Sequence, residues 1–285
     1  MNNAGECRHT LYRLPYTIEH MKHDPTSDFL YQVFALIISM ILVHLVYVTV
    51  IRPNADALLQ AQRAQQAAGQ NAEMPRSWHI VLKDYEQESC FVLALWVSAI
   101  IGLKAKQARE ERKLLAQSLL EVASGTSILP EDTRKYARSV QALPPHEQEF
   151  LLPRAILTAL QRFSSTRNVH DVAGAVREVC DSESNRLDSE LSMVRYIIWA
   201  IPAIGFIGTV RGIGDALGQA QRAVEGDIVG VTVSLGVAFN STLIALLLSI
   251  VIMFLMHQLQ LMQERLVLDT QTYCDVNLIR HLQVR

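Results

Sequence analysis

The sequence is poor in charged residues, and the charges that it lacks are missing in blocks. Charged side chains make up 19% of the 285 residues, below the value of about 25% that is usual for soluble proteins. Four stretches contain no Asp, Glu, Lys or Arg: Phe29–Ile51, Ser89–Leu103, Tyr196–Val210 and Ile228–Gln263. Because uncharged apolar stretches of this length are typical of membrane spans, a purely soluble fold is excluded.

Other absences exclude several functional classes. The four cysteines lie far apart without a Cys-x-x-Cys pair, so the sequence predicts neither a metal site nor a disulfide framework. The net charge of −2 gives no positive field that would attract nucleic acid. No catalytic Ser/His/Asp or Cys/His arrangement and no Gly-Lys-Ser/Thr phosphate loop is recognisable, so we expect no enzymatic activity and no cofactor. Charges precede the first apolar run, which does not fit a cleaved signal peptide.

The apolar stretches predict an all-α membrane protein with four transmembrane helices, since a bilayer core needs about 20 helical residues. The second stretch is short and spans the bilayer only if it includes the polar turn before Ser89. The predicted order is an N-terminal segment (1–28), a first span (29–51), an outer helical loop (52–88), a second span (89–103), a helical domain (104–195), a third span (196–217), an outer turn (218–228), a fourth span (229–256) and a C-terminal helix (257–285).

The distribution of Lys and Arg predicts the orientation of these spans. The two termini and the segment 104–195 together carry 20 of these residues, whereas the opposite side carries 6. Because cytoplasmic flanks are enriched in Lys and Arg, we place both termini and the helical domain in the cytoplasm. The C-terminal helix is amphipathic, and we expect its apolar face to pack on neighbouring subunits in an oligomer.

Small and hydroxyl-bearing residues form a stripe on each of the last two spans. At about 100° per residue, the stripe on the fourth span contains Ser234, Ala238, Ser241, Thr242, Ala245 and Ser249. The stripe on the third span contains Pro202, Gly205, Thr209, Gly212 and Ala216, and Gly208 and Gly212 form a small-x-x-x-small pair. Each stripe is either a close-packing surface or the lining of a narrow polar path. The residues alone favour packing, because Ser and Thr in membrane helices often bond only to the backbone or to a neighbour.

Neither stripe contains an ionisable group, so an ion path built from them would need a carboxylate from another chain. Arg211 and Asp215 are spaced i, i+4, and we expect them to form an ion pair at the outer mouth. His44 lies within the first span and is either a packed, hydrogen-bonded residue or a proton relay, of which we favour the former.

Two sequence runs resemble the MotA/TolQ/ExbB proton-channel family. The run Ala200–Ile213, with Pro202, Gly205 and the tripeptide Gly208-Thr209-Val210, resembles the signature of that family's third helix. The run Leu235–Leu246, with a Ser-Thr pair before an apolar segment, resembles the helix that follows. The Gly-Thr-Val form is that of the TolQ/ExbB branch, whereas four predicted spans match the flagellar stators.

The resemblance implies a homopentamer around a dimer of a single-span partner of the ExbD/TolR/MotB type, in the bacterial inner membrane. An Asp in the partner's span would carry proton or sodium flow that drives rotation or force. By motif match, the ion path would involve Thr209, Thr242 and Ser241, with Pro202, Gly205, Gly208 and Gly212 shaping and packing the helices. Because of this resemblance, we favour an ion path over close packing as the role of the two stripes.

Two alternatives stay open at this point, and a third is disfavoured. The first is a non-conducting oligomeric scaffold in which the stripes only pack helices. The second is the channel subunit of a phage-defence or flagellar-type motor rather than of a Tol/Exb-type energiser. A secondary transporter is disfavoured, because the four helices show no internal repeat.

Overall fold

The computed structural model describes residues 25–67, 77–117, 119–120 and 127–284. The predicted N-terminal segment 1–28 lies outside these residues except for its last four. Four of the described helical segments are long and apolar enough to cross a membrane, and no strand is formed in this part of the chain. The prediction of an all-α protein with four membrane-spanning helices is therefore confirmed.

The first helical segment is longer than its apolar stretch. Helix α1 (Pro25–Val46) passes through a π-helical turn (Tyr47–Ile51) directly into α2 (Arg52–Ala67), so the first span and the predicted outer helix form one continuous segment. A short helix, α3 (Trp78–Leu82), precedes α4 (Tyr85–Leu115). Because α4 includes the polar turn before Ser89, the short second apolar stretch becomes part of a helix of 31 residues.

The remaining helices form the helical domain, which lies between the second and third spans in the chain, and then the third and fourth spans. Two of them are unusually long, at 27 residues for the third span and 49 for the fourth. In chain order they are α5 (Thr133–Gln141), α6 (Pro145–Gln148), α7 (Leu151–Thr166), α8 (Val169–Glu190), α9 (Ser192–Gly218), α10 (Ala220–Val224) and α11 (Val229–Asn277), followed by a 3₁₀ turn (Ile279–His281).

The spans pack in a defined order. Helices α9 and α11 share the most extensive contact, α4 packs on both of them, and α1 packs on α4. Buried apolar side chains such as Val97 of α4, Ile201 of α9 and Ile252 of α11 fill the space between them. The outward side chains are large and apolar, for example Phe34 and Phe254, which suits contact with lipid.

A second core lies in the helical domain. Helix α7 buries an apolar face at helical spacing, including Ile156 and Phe163, and packs on α5, α8 and α11. The C-terminal part of α11 contributes Cys274 and Leu278 to this core. The buried face of this helix thus packs on its own chain, where we had expected neighbouring subunits. The reason is that α7 and α8 fold beside it, which the periodicity of one helix does not reveal.

The chain end is attached to the same domain by a short parallel bridge. The N–H of Ile128 donates to the carbonyl oxygen of His281 at 2.7 Å, and the N–H of Gln283 donates to the carbonyl oxygen of Ile128 at 3.1 Å. Ile128 is fully buried. The C-terminal residues therefore belong to the folded domain.

Candidate functional site

The contact between α9 and α11, here called the seam, depends on three glycines of α9. A Cβ atom on Gly212 would lie 2.7 Å from the backbone nitrogen of Ala238 and 2.7 Å from the carbonyl oxygen of Ser234. A Cβ on Gly208 would lie 2.6 Å from the Cβ of Ser241, and one on Gly205 would overlap Ala245. Real side chains cannot approach so closely, so these glycines allow the two helices to pack backbone against backbone.

Close approach brings three hydroxyl groups onto two backbone carbonyls. Thr242 Oγ1 lies 3.0 Å from the carbonyl oxygen of Gly205, and Thr209 Oγ1 lies 3.1 Å from that of Ala238, both within hydrogen-bond distance. Ser241 Oγ lies 2.9 Å from the Ala238 carbonyl oxygen and 3.4 Å from that of Gly205. The hydroxyls of Thr209 and Thr242 are also hydrogen-bonded to each other. The structure thus brings together the threonines that the sequence predicts for the ion path.

The threonines of the two stripes are less buried than most of their neighbours. Most of the stripe on the fourth span is buried within the chain, including Ser241 and Ala245, which are fully covered. Thr209 and Thr242 are only half-buried and lie at the edge of the seam. The serine and alanine positions are therefore a packing surface in this chain, and the threonine pair is the polar part that reaches the surface. A role of Ser241 in an ion path stays a prediction.

Pro202 lies within α9 and does not end it. One residue before it, the carbonyl oxygen of Ile201 accepts a weak hydrogen bond from the thiol of Cys90 on α4, at 3.6 Å. The proline thus lies where α9 contacts α4. Its predicted effect on helix shape stays a prediction.

The expected ion pair between Arg211 and Asp215 is not formed in the described part of the chain. Arg211 Nη2 instead lies 2.8 Å from Glu86 Oε2, at the first turn of α4. The carboxylate of Glu86 is closer in the fold than that of Asp215, and spacing along one helix cannot show a partner on another. The carbonyl oxygen of Asp215 accepts a hydrogen bond from Gln219 at 3.2 Å.

A charged cluster between α1 and α4 was missed by the sequence analysis. Glu88 is 9% exposed and binds His44 Nδ1 at 2.7 Å through one carboxylate oxygen and the guanidinium of Arg52 through the other. The guanidinium of Arg52 also lies 4.4 Å from the centre of the Tyr85 ring. We refer to Glu88, His44 and Arg52 as the Glu88 cluster. His44 is thus hydrogen-bonded, as we expected, but 60% of its side chain is exposed, so the expectation that it is also packed is wrong.

One sequence signal could have revealed this cluster. His44 and Arg52 are eight residues apart, which places them on the same side of a continuous helix about two turns apart. An acid at the start of the next span is then a natural partner for both. The signal was hidden because the predicted first span ends at Ile51, whereas the helical segment continues.

The helical domain has its own buried charges. Glu183 is 3% exposed and accepts hydrogen bonds from Arg154 Nη1 and Arg186 Nε, each at 3.1 Å. Burial by itself would raise the pKa of Glu183, but the hydrogen bond and charge of Arg186, together with Arg154, hold it below its usual value. Burial raises the pKa of the nearby Glu111 carboxyl, which accepts the N–H of Leu151 at the start of α7.

The same charges join the second span to the domain. Lys104, at the end of the second apolar stretch, is 8% exposed and lies 2.6 Å from Glu190 Oε2 of α8. Arg186 binds the other oxygen of Glu190 at 2.8 Å. This connection fixes α4 relative to α8 where they leave the predicted membrane region.

The described cysteines are buried free thiols, in agreement with a packing role. Burial raises the pKa of Cys180 to about 11 and that of Cys274 to about 12, so both remain protonated at neutral pH. In the described part of the chain, no group of three or more His, Cys, Asp or Glu side chains is placed to hold a metal ion.

Comparison with known proteins agrees with the geometry of the seam. Residues 147–272 match the family model described as the MotA/TolQ/ExbB proton channel family. The match covers α7 to α11 and therefore extends upstream of the two motifs into the helical domain. No curated protein and no solved structure gives a significant match. Residues 147–272, a little under half of the chain, are thus similar to the MotA/TolQ/ExbB proton channel family.

Proposed function

We propose that the protein is the proton-channel subunit of an ion-driven motor complex in a bacterial inner membrane. The observation that carries this proposal is the threonine pair. Thr209 and Thr242 meet at the half-buried edge of the seam, within the part of the chain that matches the channel family. Their hydroxyls are positioned to exchange hydrogen bonds with a group that approaches the seam from outside the chain.

The surroundings of this pair support a partner chain. In the part of the protein that the structure describes, neither threonine hydroxyl is bonded to a carboxylate. Ion or proton transfer in a membrane normally needs an ionisable group. We infer that a single-span partner of the ExbD/TolR/MotB type supplies an Asp, and that five copies of this chain surround two copies of the partner. In this assembly the chain conducts and transmits force, and it has no enzymatic role.

The proposed topology follows from the charge distribution. Both termini and the helical domain would lie in the cytoplasm, because most Lys and Arg residues fall on that side. The four candidate spans then require α2 and α10 to lie on the periplasmic side. The Gly-Thr-Val form of the third-helix signature supports a Tol/Exb-type energiser.

A double substitution tests the proposed path. The complex is purified from its native membrane through a tag on this chain, placed in liposomes that contain a pH-sensitive dye, and driven by a potassium diffusion potential. We expect Thr209→Val with Thr242→Val to reduce proton uptake at least tenfold while the complex keeps its size. The matched control is Thr209→Ser with Thr242→Ser, which keeps both hydroxyls and should conduct. Unchanged uptake by the valine variant would refute the path.

A specific observation favours a second candidate, a non-conducting scaffold. Ser234, Ser241 and Ser249 are buried in the seam, so most of the hydroxyl stripe serves helix packing. If packing is its whole role, the valine variant should lower the thermal stability of the protein, since the seam joins two helices of one chain. The wild-type complex should then show no proton uptake.

A further inference from the structure

Glu86 is a carboxylate at the predicted outer end of the second span, and it is not part of the ion path proposed above. It is the second residue of α4, and its side chain is 11% exposed. Its oxygen Oε2 lies 2.8 Å from Arg211 Nη2, which belongs to α9 two residues after Thr209. The pair therefore joins the second span to the third near the predicted outer end of the threonine pair.

Glu86 also contacts the seam directly. The position that a Cβ of Gly208 would occupy lies 3.1 Å from Glu86 Cγ and 2.6 Å from Ser241 Cβ. Because Gly208 has no side chain, Glu86 and Ser241 are neighbours across it. Ser241 shares the carbonyl oxygens of Gly205 and Ala238 with the two threonines. The carboxylate of Glu86 binds Arg211, and its Cγ borders Gly208, so Glu86 lies beside the hydrogen-bonded group that includes the threonine pair.

The charged groups around Glu86 are few. On α9 its contact is Arg211, and on α4 the thiol of Cys90 lies within electrostatic range one turn further along. Helix α11 offers the uncharged Ser241 hydroxyl at this contact. The basic side chains His44 and Arg52 of the first helical segment bind Glu88 instead. Among the described residues, Arg211 is therefore the cation that balances Glu86.

We propose that Glu86 is a specificity-determining residue that accepts the ion at the outer end of the path, and that Arg211 competes with the ion for it. This inference rests on the proposed function. With Arg211 bound, Glu86 has no free charge to offer. When a proton neutralises the carboxylate, Arg211 is released toward solvent, to which its side chain is already 43% exposed. The proton is then held beside Gly208, the glycine that separates Glu86 from Ser241 in the seam.

The test uses the same purified complex and dye-loaded liposomes, with proton uptake measured over a range of outside pH. Glu86→Gln removes the charge and Glu86→Asp keeps it. Arg211→Gln removes the competitor, and Glu86→Arg with Arg211→Glu exchanges the two charges. Glu225→Gln removes an exposed acid of the outer turn and is the matched control. The size and thermal stability of each complex are measured beside its uptake.

We expect Glu86→Gln to reduce uptake at least tenfold, and Glu86→Asp and Glu225→Gln to stay within about twofold of the wild type. Loss of a neighbouring cation raises the proton affinity of a carboxylate. Arg211→Gln should therefore conduct, with its half-maximal uptake moved to higher pH. The charge exchange keeps the ion pair, so the complex should be as stable as the wild type. Its proton uptake should stay as low as that of Glu86→Gln, because the acid at position 211 lies away from Ser241.

Two results would overturn this inference while the threonine path stands. One is normal uptake by Glu86→Gln when the double valine variant is inactive. The other is full recovery of both uptake and stability by the charge exchange, which would show that the pair is only a structural contact. A wild-type complex without any proton uptake would refute the proposed function, and this inference with it.

Discussion

Two contacts between membrane-spanning helices use different kinds of side chains. The seam between α9 and α11 uses glycine, alanine and hydroxyl groups, and its hydrogen bonds end on backbone carbonyls. The contact between α1 and α4 uses large side chains, with the Glu88 cluster at one end and a hydrogen bond from Trp96 Nε1 to the Gln32 carbonyl oxygen, 2.8 Å long, further along.

The difference teaches how each contact satisfies its polar groups. Where small residues allow two backbones to touch, short hydroxyls reach the carbonyls and no charge is needed. Where α1 meets α4, charged side chains are paired with each other, because an unpaired buried charge is costly. The seam has its half-buried threonines at one edge, whereas the Glu88 cluster attaches the first helical segment to α4. Four substitutions probe this contrast.

The largest effect is expected from Glu88→Ala. It leaves Arg52 without its carboxylate partner in a half-buried position, and breaking such a buried pair costs about 3 kcal/mol. Thermal unfolding of the purified protein in detergent should show the loss. Glu110→Ala changes an exposed acid on the same helix and should have little effect. Equal stability of the two variants would mean that the cluster does not hold α1.

Gly212→Ala should come next. The added methyl group meets backbone atoms of α11 that cannot rotate away, and overpacking of this kind costs about 2 kcal/mol. Gly214→Ala is the matched control, because no atom lies within 4 Å of the added carbon. Thermal unfolding and the elution volume of the complex measure both. If the two alanine variants behave alike, the seam does not depend on backbone contact.

Ser241→Ala should cost about 1 kcal/mol, because it removes a buried hydroxyl that is bonded to the backbone. Ser249→Ala is the control within the same stripe. The hydroxyl of Ser249 is buried without a hydrogen-bond partner, so its removal should be neutral or stabilising. Proton uptake measured beside unfolding separates packing from conduction. Normal uptake by Ser241→Ala would contradict its predicted place in the path.

The smallest effect concerns a buried acid of the helical domain. The folded-state pKa of Glu111 is raised by burial, so its contribution to stability is present below the unfolded pKa and is lost as pH rises through the folded value. Glu111→Gln mimics the protonated form and should melt a few degrees above the wild type at neutral pH, with the difference closing in acid. Glu110→Gln serves as the exposed control. A difference that does not change with pH would contradict this explanation.

The sequence predicted those parts of the molecule that depend on one helix at a time. Runs without charge predicted the four candidate spans, and the stripes predicted which faces of α9 and α11 meet. Contacts between distant segments were not accessible. Arg211 was given a partner on its own helix, although Glu86 binds it from α4. The Glu88 cluster was missed for the same reason, because its members come from two different helical segments.

The length of α11 has a mechanical consequence. This single helix of 49 residues, about 74 Å long, runs from the outer end of the seam to the core of the helical domain, with no proline along it. Thr242 lies near one end and Cys274, packed against α7 and α8, near the other. Because no proline interrupts the helix, we expect a tilt or twist imposed at the threonine end to displace the helices of the helical domain, as a lever would.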